Sequence, residues 1–355
     1  MPKVTFNNSN NLFFQSVKQS VEDYFRNGNI KKVGNWKLYL KTIILIPFAI
    51  SIYIGLLTMH YPPVVGIFFS GLLGFTLAAI GFNVMHDACH GSYSKHKWVN
   101  ELMGLTNNAL GGNAYIWKVK HNIIHHTYTN IDGVDDDIAI GTLLRQAPTQ
   151  KRLLVHRYQY LYMFVLYAFT TVAWVLVLDF IKYFSRKVYT TPLRPMDTKE
   201  QVIFWSGKIL YLLFYVAIPI LFVGWEAWLI GFLCMHVIMG LTLAIVFQLA
   251  HLVENTTFEV ANLSPKVIQS EWAVHEVKTT ADFAAKNKVV SWLIGGLNFQ
   301  IEHHLFPHIS HVHYPQLSRI VREQCMKFNL PYNYYPTLSK ALRSHIIMMK
   351  RLGEN

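Results

Sequence analysis

Charged residues are scarce in this chain of 355 residues: Asp, Glu, Lys and Arg make up 15% of it, whereas soluble domains average about 25%. The shortage is concentrated, because no charged residue occurs between Thr42 and Met85. Hydrophobic residues make up 52% of the chain, which excludes intrinsic disorder. The long uncharged runs also argue against nucleic-acid binding as the reason for the net charge of +12. The composition predicts a polytopic membrane protein whose positive charge faces the cytoplasm.

Cysteine is rare as well. The three cysteines, Cys89, Cys234 and Cys325, lie far apart in the sequence and form no metal-ligand pair. Three cysteines also leave one unpaired, so they predict no disulfide framework and fit a reducing compartment.

The uncharged run of residues 42–85 is about twice as long as the ~20 residues that a membrane-spanning helix needs, and Pro62 and Pro63 interrupt it. It predicts a hairpin of two spanning helices. Residues 209–223 and 227–253 predict a second hairpin. Lysines outside the open ends of both hairpins place those ends in the cytoplasm.

A further apolar run, residues 158–181, has basic residues at both ends. If it spanned the membrane, one basic cluster would have to cross, so we expect this helix to lie in the cytoplasmic interface. The sequence therefore predicts an all-α integral membrane protein with four transmembrane helices in two hairpins, one interfacial helix and a cytoplasmic cap. The expected segments are residues 1–38 (cytoplasmic arm), 39–85 (first hairpin), 86–200 (cytoplasmic, with the interfacial helix), 205–253 (second hairpin) and 254–355 (cytoplasmic).

Histidine is over-represented, with seventeen in the chain. Three clusters stand out: His-Asp-Ala-Cys-His at 86–90, His-Asn-Ile-Ile-His-His at 121–126 and Gln-Ile-Glu-His-His at 300–304. They are called the first, second and third box below. Residues four apart on a helix share a face, so each of the first two boxes presents two imidazoles to one side. The predicted topology places all three boxes on one face of the membrane. Their histidines are His86, His90, His121, His125, His126, His303 and His304.

Seven clustered imidazoles exceed the three ligands that a single catalytic zinc takes from protein, and imidazole suits zinc, copper, iron and nickel alike. The boxes therefore predict a cap that holds two metal ions. His251 is an eighth candidate ligand, because it lies at the cytoplasmic end of the last predicted span. His236, fifteen residues earlier, lies about 22 Å away along the helix axis and cannot reach the same cluster.

The boxes and the order of spans around them resemble the membrane-bound fatty acid desaturases. The resemblance covers roughly residues 42–315 and includes the Leu-Phe-Pro that follows the third box. Most of that family has histidine at the head of the third box. Here the residue is Gln300, which resembles the front-end desaturases, enzymes that insert a double bond between an existing one and the carboxyl end.

The resemblance implies a single desaturase domain over residues 1–355, with a di-iron centre on the cytoplasmic face. Such a centre uses O₂ to introduce a cis double bond into a fatty acyl chain carried by CoA or by a membrane lipid. We expect no catalytic residue separate from the metal ligands. Because the chain contains no His-Pro-Gly-Gly haem motif, electrons are expected from a separate donor, such as ferredoxin or a cytochrome-b-type protein with its reductase.

Polar residues near the boxes are candidates to orient the imidazoles by hydrogen bonds. Asp87 lies within the first box, and Asn298, Gln300 and His275 lie near the third box in sequence. Gln300 is expected to act on the metal through a bridging water or by orienting a ligand. Whether His275 contacts the metal directly is left open. An acidic cluster follows the second box; it consists of Asp132, Asp135, Asp136 and Asp137.

Three other functions require comparable residues. A di-iron hydroxylase or ketolase of lipids or carotenoids uses the same oxidant, although the Leu-Phe-Pro tail favours desaturation. A zinc metalloprotease needs His-Glu-x-x-His, but the sequence after His275 and Glu276 has Thr279 at the second histidine position. A metal transporter places its ligands near the bilayer midplane, whereas the boxes lie outside the predicted spans.

Overall fold

The computed structural model describes residues 4–9, 11–139, 142–261 and 266–354. Within these ranges, five helices are long and apolar enough to cross a membrane, judged by length and composition. The sequence predicts four such helices and one interfacial helix, a count that length and composition do not confirm. In chain order, the first to fifth apolar helices are Trp36–Thr58, Pro63–Cys89, Leu154–Ser185, Thr198–Val223 and Trp225–His251.

The turns between these helices form where the sequence predicts them. Asn35 caps the first apolar helix by accepting a hydrogen bond from the backbone N–H of Lys37, and Pro63 occupies the first position of the second. Asp197 caps the fourth apolar helix, which therefore begins earlier than its uncharged core. Gly224, with φ +80°, provides the turn into the fifth. Glycine tolerates this left-handed conformation because it has no Cβ.

The apolar helices approach one another where glycine removes a side chain. A Cβ on Gly74 of the second helix would lie 2.1 Å from the carbonyl oxygen of Met235 on the fifth. A Cβ on Gly240 would lie 2.6 Å from the carbonyl oxygen of Ala168 on the third helix. Without a hydrophobic force between helices in lipid, such close backbone approach is what stabilises their packing.

The rest of the described chain forms a cap of shorter helices. Its helices are Leu12–Asn27, Lys97–Gly104, Thr106–Ala109, Ala114–Lys118, His126–Tyr128, Trp272–Thr279, Lys288–Leu293, Gln300–Leu305, Tyr314–Lys327 and Leu338–Glu354. In the described part of the cap, Asp136–Ile138 and His311–His313 are short 3₁₀ helices, and a further 3₁₀ segment, Leu154–Tyr158, begins the third apolar helix. One hydrophobic cluster joins the N-terminal helix to the region of the third box. Another joins the region of the second box to Val188.

Four short strand pairs within the described ranges depart from the all-α expectation. Three are parallel and connect distant parts of the cap, which apolar periodicity over two or three residues cannot reveal. The parallel pairs are Val4–Phe6 with Lys266–Ile268, Ile131–Asp132 with Glu259–Val260, and Asp282–Phe283 with Tyr334–Tyr335. The antiparallel pair is Lys187–Val188 with Thr191–Pro192.

Segments of π-helix widen several of the helices by one residue per turn. Two of them lie at the boxes: Gly81–Met85 ends where the first box begins, and Val119–His125 contains most of the second box. Trp174–Leu178 and Leu213–Ala217 interrupt the third and fourth apolar helices. Such segments occur frequently at functional sites, because the extra residue turns the following side chains to a new direction.

Both ends of the third apolar helix contact the same stretch of the cap. Near its beginning, the Gln159 side-chain amide donates to the carbonyl oxygen of Arg145 at 3.0 Å. Near its end, Lys182 donates to Asp136 Oδ2 at 2.6 Å. Asp136 and Arg145 are only nine residues apart in the chain. The helix therefore begins and ends beside one segment of the cap.

Candidate metal centre

The first box extends the second apolar helix into the cap. After the π segment, the chain forms the helical turn His86–Cys89, and the ring centroids of His86 and His90 lie 4.7 Å apart. Both side chains are buried. The two imidazoles share a face, as their spacing predicted.

The second box lies on a helix that Asn113 caps through its side chain, which accepts from the backbone N–H of Ile116. The side-chain amide of Asn122 donates to the carbonyl oxygen of Cys89 at 2.9 Å. This bond joins the second box to the first. The rings of His121 and Trp117 stack with centroids 4.4 Å apart.

The third box forms the helix Gln300–Leu305, and its first turn is anchored by Asp282, which accepts from the backbone N–H of Ile301 at 3.1 Å. His251 is the last residue of the fifth apolar helix. Its ring centroid lies 4.7 Å from that of His125 and 4.8 Å from that of His304.

The three boxes and His251 bring all eight predicted histidines together in the interior of the cap. Their nitrogens form two groups in which one atom of each residue lies within 4.8 Å of the others. The first group contains His86, His90, His121 and His303, and the second contains His125, His251 and His304. His126 lies between the groups: its Nε2 is 3.2 Å from Nε2 of His121, and its ring centroid is 4.4 Å from that of His304. Asp137 forms a further set with His121 and His125.

Buried ring nitrogens without a hydrogen-bond partner distinguish this cluster from ordinary packing. A buried polar atom without a partner costs about 1–3 kcal/mol, so a concentration of them requires another explanation. Eight such atoms occur here: His86 Nδ1, His90 Nδ1 and Nε2, His125 Nε2, His126 Nδ1, His251 Nε2, His303 Nε2 and His304 Nε2. Two imidazole nitrogens bound to one tetrahedral ion lie about 3.3 Å apart, close to the 3.2 Å between His86 Nε2 and His121 Nε2. The residues present fit a pair of metal ions.

Hydrogen bonds from the cap hold three of the imidazoles by their Nδ1 atoms. His304 Nδ1 lies 2.8 Å from Glu276 Oε2, His125 Nδ1 lies 3.1 Å from Asp135 Oδ2, and His303 Nδ1 lies 3.0 Å from the Tyr314 hydroxyl. Each contact leaves Nε2 directed into the cluster. Asp135 belongs to the acidic cluster that the sequence analysis identified. Sequence reasoning missed Glu276 and Tyr314, because nothing in their spacing indicates which box they approach.

Asp87 contacts residues outside the three boxes, although its position within the first box predicted that it would orient the box imidazoles. It accepts a hydrogen bond from Ser310 Oγ at 2.6 Å, and its other oxygen lies 3.0 Å from His311 Nδ1. Consecutive helix residues point about 100° apart, so a side chain next to His86 faces away from the imidazoles that His86 joins. His311 in turn contacts Lys41 Nζ at 2.9 Å, which ties the first apolar helix to the first box.

The other three predicted orienting residues are buried and bonded to the backbone or to other side chains. Gln300 donates to the carbonyl oxygen of Leu297 at 2.8 Å, and Asn298 donates to Ser291 Oγ at 2.9 Å. His275 Nε2 lies 2.8 Å from the carbonyl oxygen of Thr129, three residues beyond the second box. These contacts connect the residues to the frame of the site.

Burial sets the ionisation of the cluster. Burial, followed by the repulsion of neighbouring imidazoles, holds the pKa of His121, His126 and His303 well below 6.5. Burial also lowers the pKa of His125, but Asp135 and Asp137 outweigh it and leave the pKa raised. Neutral imidazoles present the lone pair that a metal ion needs.

His236, the histidine within the fifth apolar helix, has partners for both of its nitrogens. Nε2 lies 2.6 Å from the Tyr211 hydroxyl and Nδ1 lies 2.9 Å from Thr171 Oγ1. It is therefore bonded to the fourth and third apolar helices and, as the sequence analysis expected, is not part of the metal cluster.

Known proteins are similar to this chain over most of its length. A family model described as fatty acid desaturase matches residues 59–336. The sn-1 linoleoyl-lipid 6-desaturase of Arthrospira platensis is 36% identical over 99% of this chain and 95% of its own length. The enzyme of the same name from Synechocystis sp. is 34% identical over 96% of each chain. An acyl-lipid (8-3)-desaturase of Physcomitrium patens is 33% identical over 97% of this chain and 72% of its own.

Proposed function

The chain belongs to the fatty acid desaturase family, and on that premise we propose that it introduces a cis double bond into the acyl chain of a membrane lipid, using O₂ and two histidine-bound iron ions. The observation that carries this proposal is the pair of histidine groups whose buried nitrogens have no hydrogen-bond partner. The two histidine groups support two metal ions. Because His126 lies between the groups and contacts both, the two ions would share one site.

The proposed reaction requires a redox-active metal, and iron is the one that the desaturase family implies. Removing hydrogen from an unactivated C–H bond needs an oxidant derived from O₂, and zinc has no redox chemistry. When bound, a pair of iron ions supplies that oxidation. The ligands we propose are the seven box histidines together with His251, with Asp137 near enough to His121 and His125 to contribute an oxygen.

The residues around the ligands hold the imidazoles in one tautomer. Glu276, Asp135 and Tyr314 occupy the Nδ1 positions of three histidines and so direct Nε2 inward. Such partners raise ligand basicity and remove the rotational freedom that binding would otherwise cost. The buried surroundings also exclude water, which protects a strong oxidant from side reactions.

A lipid-bound acyl chain is the substrate that the relatives support, since the three relatives described above are named as lipid or acyl-lipid desaturases. The 6-desaturase and (8-3)-desaturase names, together with Gln300 at the head of the third box, support front-end positioning of the new double bond. The acyl chain of a membrane lipid already lies in hydrocarbon, so its entry into an apolar site exposes no apolar surface to water.

An apolar cavity of about 500 Å³ is our candidate for part of the acyl channel. It lies between the first, second and fourth apolar helices, beside the short helix Thr106–Ala109. Its volume is in the range of small-ligand sites. Ile80, one of its lining residues, precedes His86 by six positions, or about 9 Å along a helix axis. The cavity is therefore close enough to the first box to hold the part of the acyl chain that lies on one side of the reacting carbons.

We also propose that the third apolar helix lies in the interface and that the metal centre faces the cytoplasm. Both ends of this helix contact the segment that contains Asp136 and Arg145. That segment lies beside the boxes, since the neighbouring Asp137 is grouped with His121 and His125. The contact with Asp136 places the Lys182 end of the helix on the metal side of the membrane. If the Arg145 end lies there too, the helix cannot cross the membrane once. The basic residues at both ends support the cytoplasmic side.

The experiment that tests the proposed function is expression in a host of known lipid composition, followed by fatty-acid profiling with location of double bonds. We expect a new unsaturated acyl species with its double bond nearer to the carboxyl group than an existing one. Absence of any new species, with iron bound and an electron donor supplied, would contradict the proposal. A new hydroxylated species instead would replace desaturase with hydroxylase.

A further inference from the structure

His308, four residues beyond the third box, connects the surface to the proposed metal centre by a single hydrogen bond. Its side chain is exposed, yet its Nδ1 lies 2.8 Å from the carbonyl oxygen of His90. His90 is completely surrounded by protein and has no hydrogen-bond partner at either ring nitrogen. An exposed imidazole therefore lies one hydrogen bond from the main chain of a proposed ligand.

The surface around His308 is formed by three chain segments that hydrogen bonds hold together. The backbone N–H of Ser310 donates to the carbonyl oxygen of Lys32 at 2.9 Å, and that of Gly34 donates to the carbonyl oxygen of Ser92 at 2.8 Å. The segment before the first apolar helix thus runs beside the segments that follow the first and third boxes. The exposed residues Lys31 and Lys95 belong to these segments.

The charge of this surface is positive and uncompensated. Neither Lys31 nor Lys95 forms an ion pair with any residue that the structure describes. The acids of the N-terminal helix are already paired, Glu22 with Lys32 and Asp23 with Arg26. A partner with exposed carboxylates would meet unpaired cations here.

The proposed reaction requires such a partner. Removal of two hydrogen atoms from the acyl chain supplies two electrons and two protons, whereas reduction of O₂ to two waters consumes four of each. The remaining two electrons come from an external reductant and the remaining two protons from solvent, so one alkene and two waters form. These electrons must reach a buried centre from the surface.

We propose that the surface formed by Lys31, Lys95 and His308 docks an acidic one-electron carrier protein, and that electrons enter through His308 to His90. This inference rests on the proposed function. Trp272 makes a comparable contact on another side of the cluster, donating to the carbonyl oxygen of His126 at 3.1 Å. There, however, the adjoining Glu271 is buried and accepts from the backbone N–H of Phe14, so it offers no exposed charge to a partner, in contrast to Lys31 and Lys95.

The test measures electron transfer separately from product formation. Iron-loaded protein in neutral phosphatidylcholine nanodiscs is mixed, without O₂, with reduced plant-type [2Fe–2S] ferredoxin, an acidic probe whose oxidation is followed by absorbance. We expect His308→Leu to slow ferredoxin oxidation about tenfold and to leave reduction by dithionite, a small reagent that needs no docking surface, unchanged. Equal slowing with dithionite would show damage to His90 and would overturn the inference.

Charge reversal tests docking independently. We expect the double variant Lys31→Glu/Lys95→Glu to lower the bimolecular rate with ferredoxin about tenfold at low salt, and the difference to vanish at high salt. Lys340→Glu changes an exposed lysine of the C-terminal helix; it serves as the matched control and should change the rate little. A defect that appears only with anionic lipid would assign the surface to lipid headgroups and contradict the proposal.

The two proposals fail in different ways. Suppose that the wild-type protein forms an alkene with either reductant. If ferredoxin then reduces the His308 and lysine variants at the wild-type rate, only the docking inference is wrong. If the iron-loaded wild-type protein is reduced by both reagents but oxidises no acyl lipid, the proposed function is wrong.

Discussion

His304 Nδ1 donates a hydrogen bond of 2.8 Å to the carboxylate of Glu276, and both side chains are completely buried. Thr129, which follows the second box, donates to the same oxygen at 2.8 Å. One carboxylate thus fixes a third-box imidazole and the end of the second box relative to each other. Burial raises the pKa of Glu276 well above its usual range, so its ionised form depends on such donors and on nearby positive charge.

Glu276→Gln removes that carboxylate while preserving its shape. We expect iron affinity to fall 10–100-fold, because the loss of an outer partner weakens a ligating imidazole by that order. The measurement is iron per chain by elemental analysis after graded chelation. Glu271→Gln, at the N-terminal end of the same helix, is the matched control, since Glu271 accepts from the backbone N–H of Phe14 at 3.3 Å rather than from a box histidine. Equal iron retention in both variants would contradict the role of Glu276.

His125→Ala removes a proposed ligand whose ring also contacts Asp135. We expect bound iron to fall to one ion per chain or fewer, and product formation to become undetectable by fatty-acid profiling. His156→Ala is the control, because His156 is buried but its nitrogens lie against the Leu153 N–H and the Thr142 carbonyl oxygen. Product formation by His125→Ala would make the two-metal assignment wrong.

Ala109→Phe places an aromatic ring in the apolar cavity. We expect a several-fold rise in KM, or a shift toward shorter acyl chains, with iron content unchanged, because the substituted side chain occupies space and no ligand is touched. The same substitution at Ala217, an exposed residue of the fourth apolar helix that does not line the cavity, provides the control. Unchanged kinetics for both variants would exclude this cavity as part of the channel.

Single cysteines at Leu154 and Ser185, in a chain whose three native cysteines are replaced, test the placement of the third apolar helix. If the helix lies in the interface, a membrane-impermeant maleimide labels both positions from the cytoplasmic side of sealed vesicles. Labelling of the two positions from opposite sides would show that the helix spans the membrane and that the predicted count of four spans is wrong.

The iron-free protein should lose stability on acidification. Burial lowers the pKa of His345 to about 4, and the same effect depresses those of His121, His126 and His303. Because histidine in the unfolded chain titrates near 6.5, the unfolded state gains protons first as pH falls below that value, and stability is lost from there downward. A shift to pH 5 would cost about 2 kcal/mol at His345 alone.

The measurement is the apparent Tm of iron-free protein in nanodiscs between pH 7 and pH 5, and we expect it to fall. Iron-loaded protein provides the comparison: it should change less near pH 7, since bound metal excludes protons from its ligands. A constant Tm for the iron-free form across this range would contradict the prediction.

The sequence by itself determined the apolar helices, the turns at Pro62–Pro63 and Gly224, and the eight histidines that meet in the cap. These features depend on local patterns: uncharged length decides whether a helix is apolar enough for a membrane, and four-residue spacing decides which imidazoles share a helix face. That those histidines bind metal stays a prediction. That they meet in the cap follows from the positions of the boxes, which the sequence already shows.

Only the tertiary structure decided which groups support the site. Glu276 and Tyr314 reach the third-box imidazoles across distant parts of the chain, and Asp87 faces His311 and Ser310 instead of the box imidazoles. The π segments beside the boxes and the short parallel strand pairs also escaped the sequence, because each depends on contacts between segments that no local period encodes. Long-range packing sets the direction of a side chain, and direction decides which partner it meets.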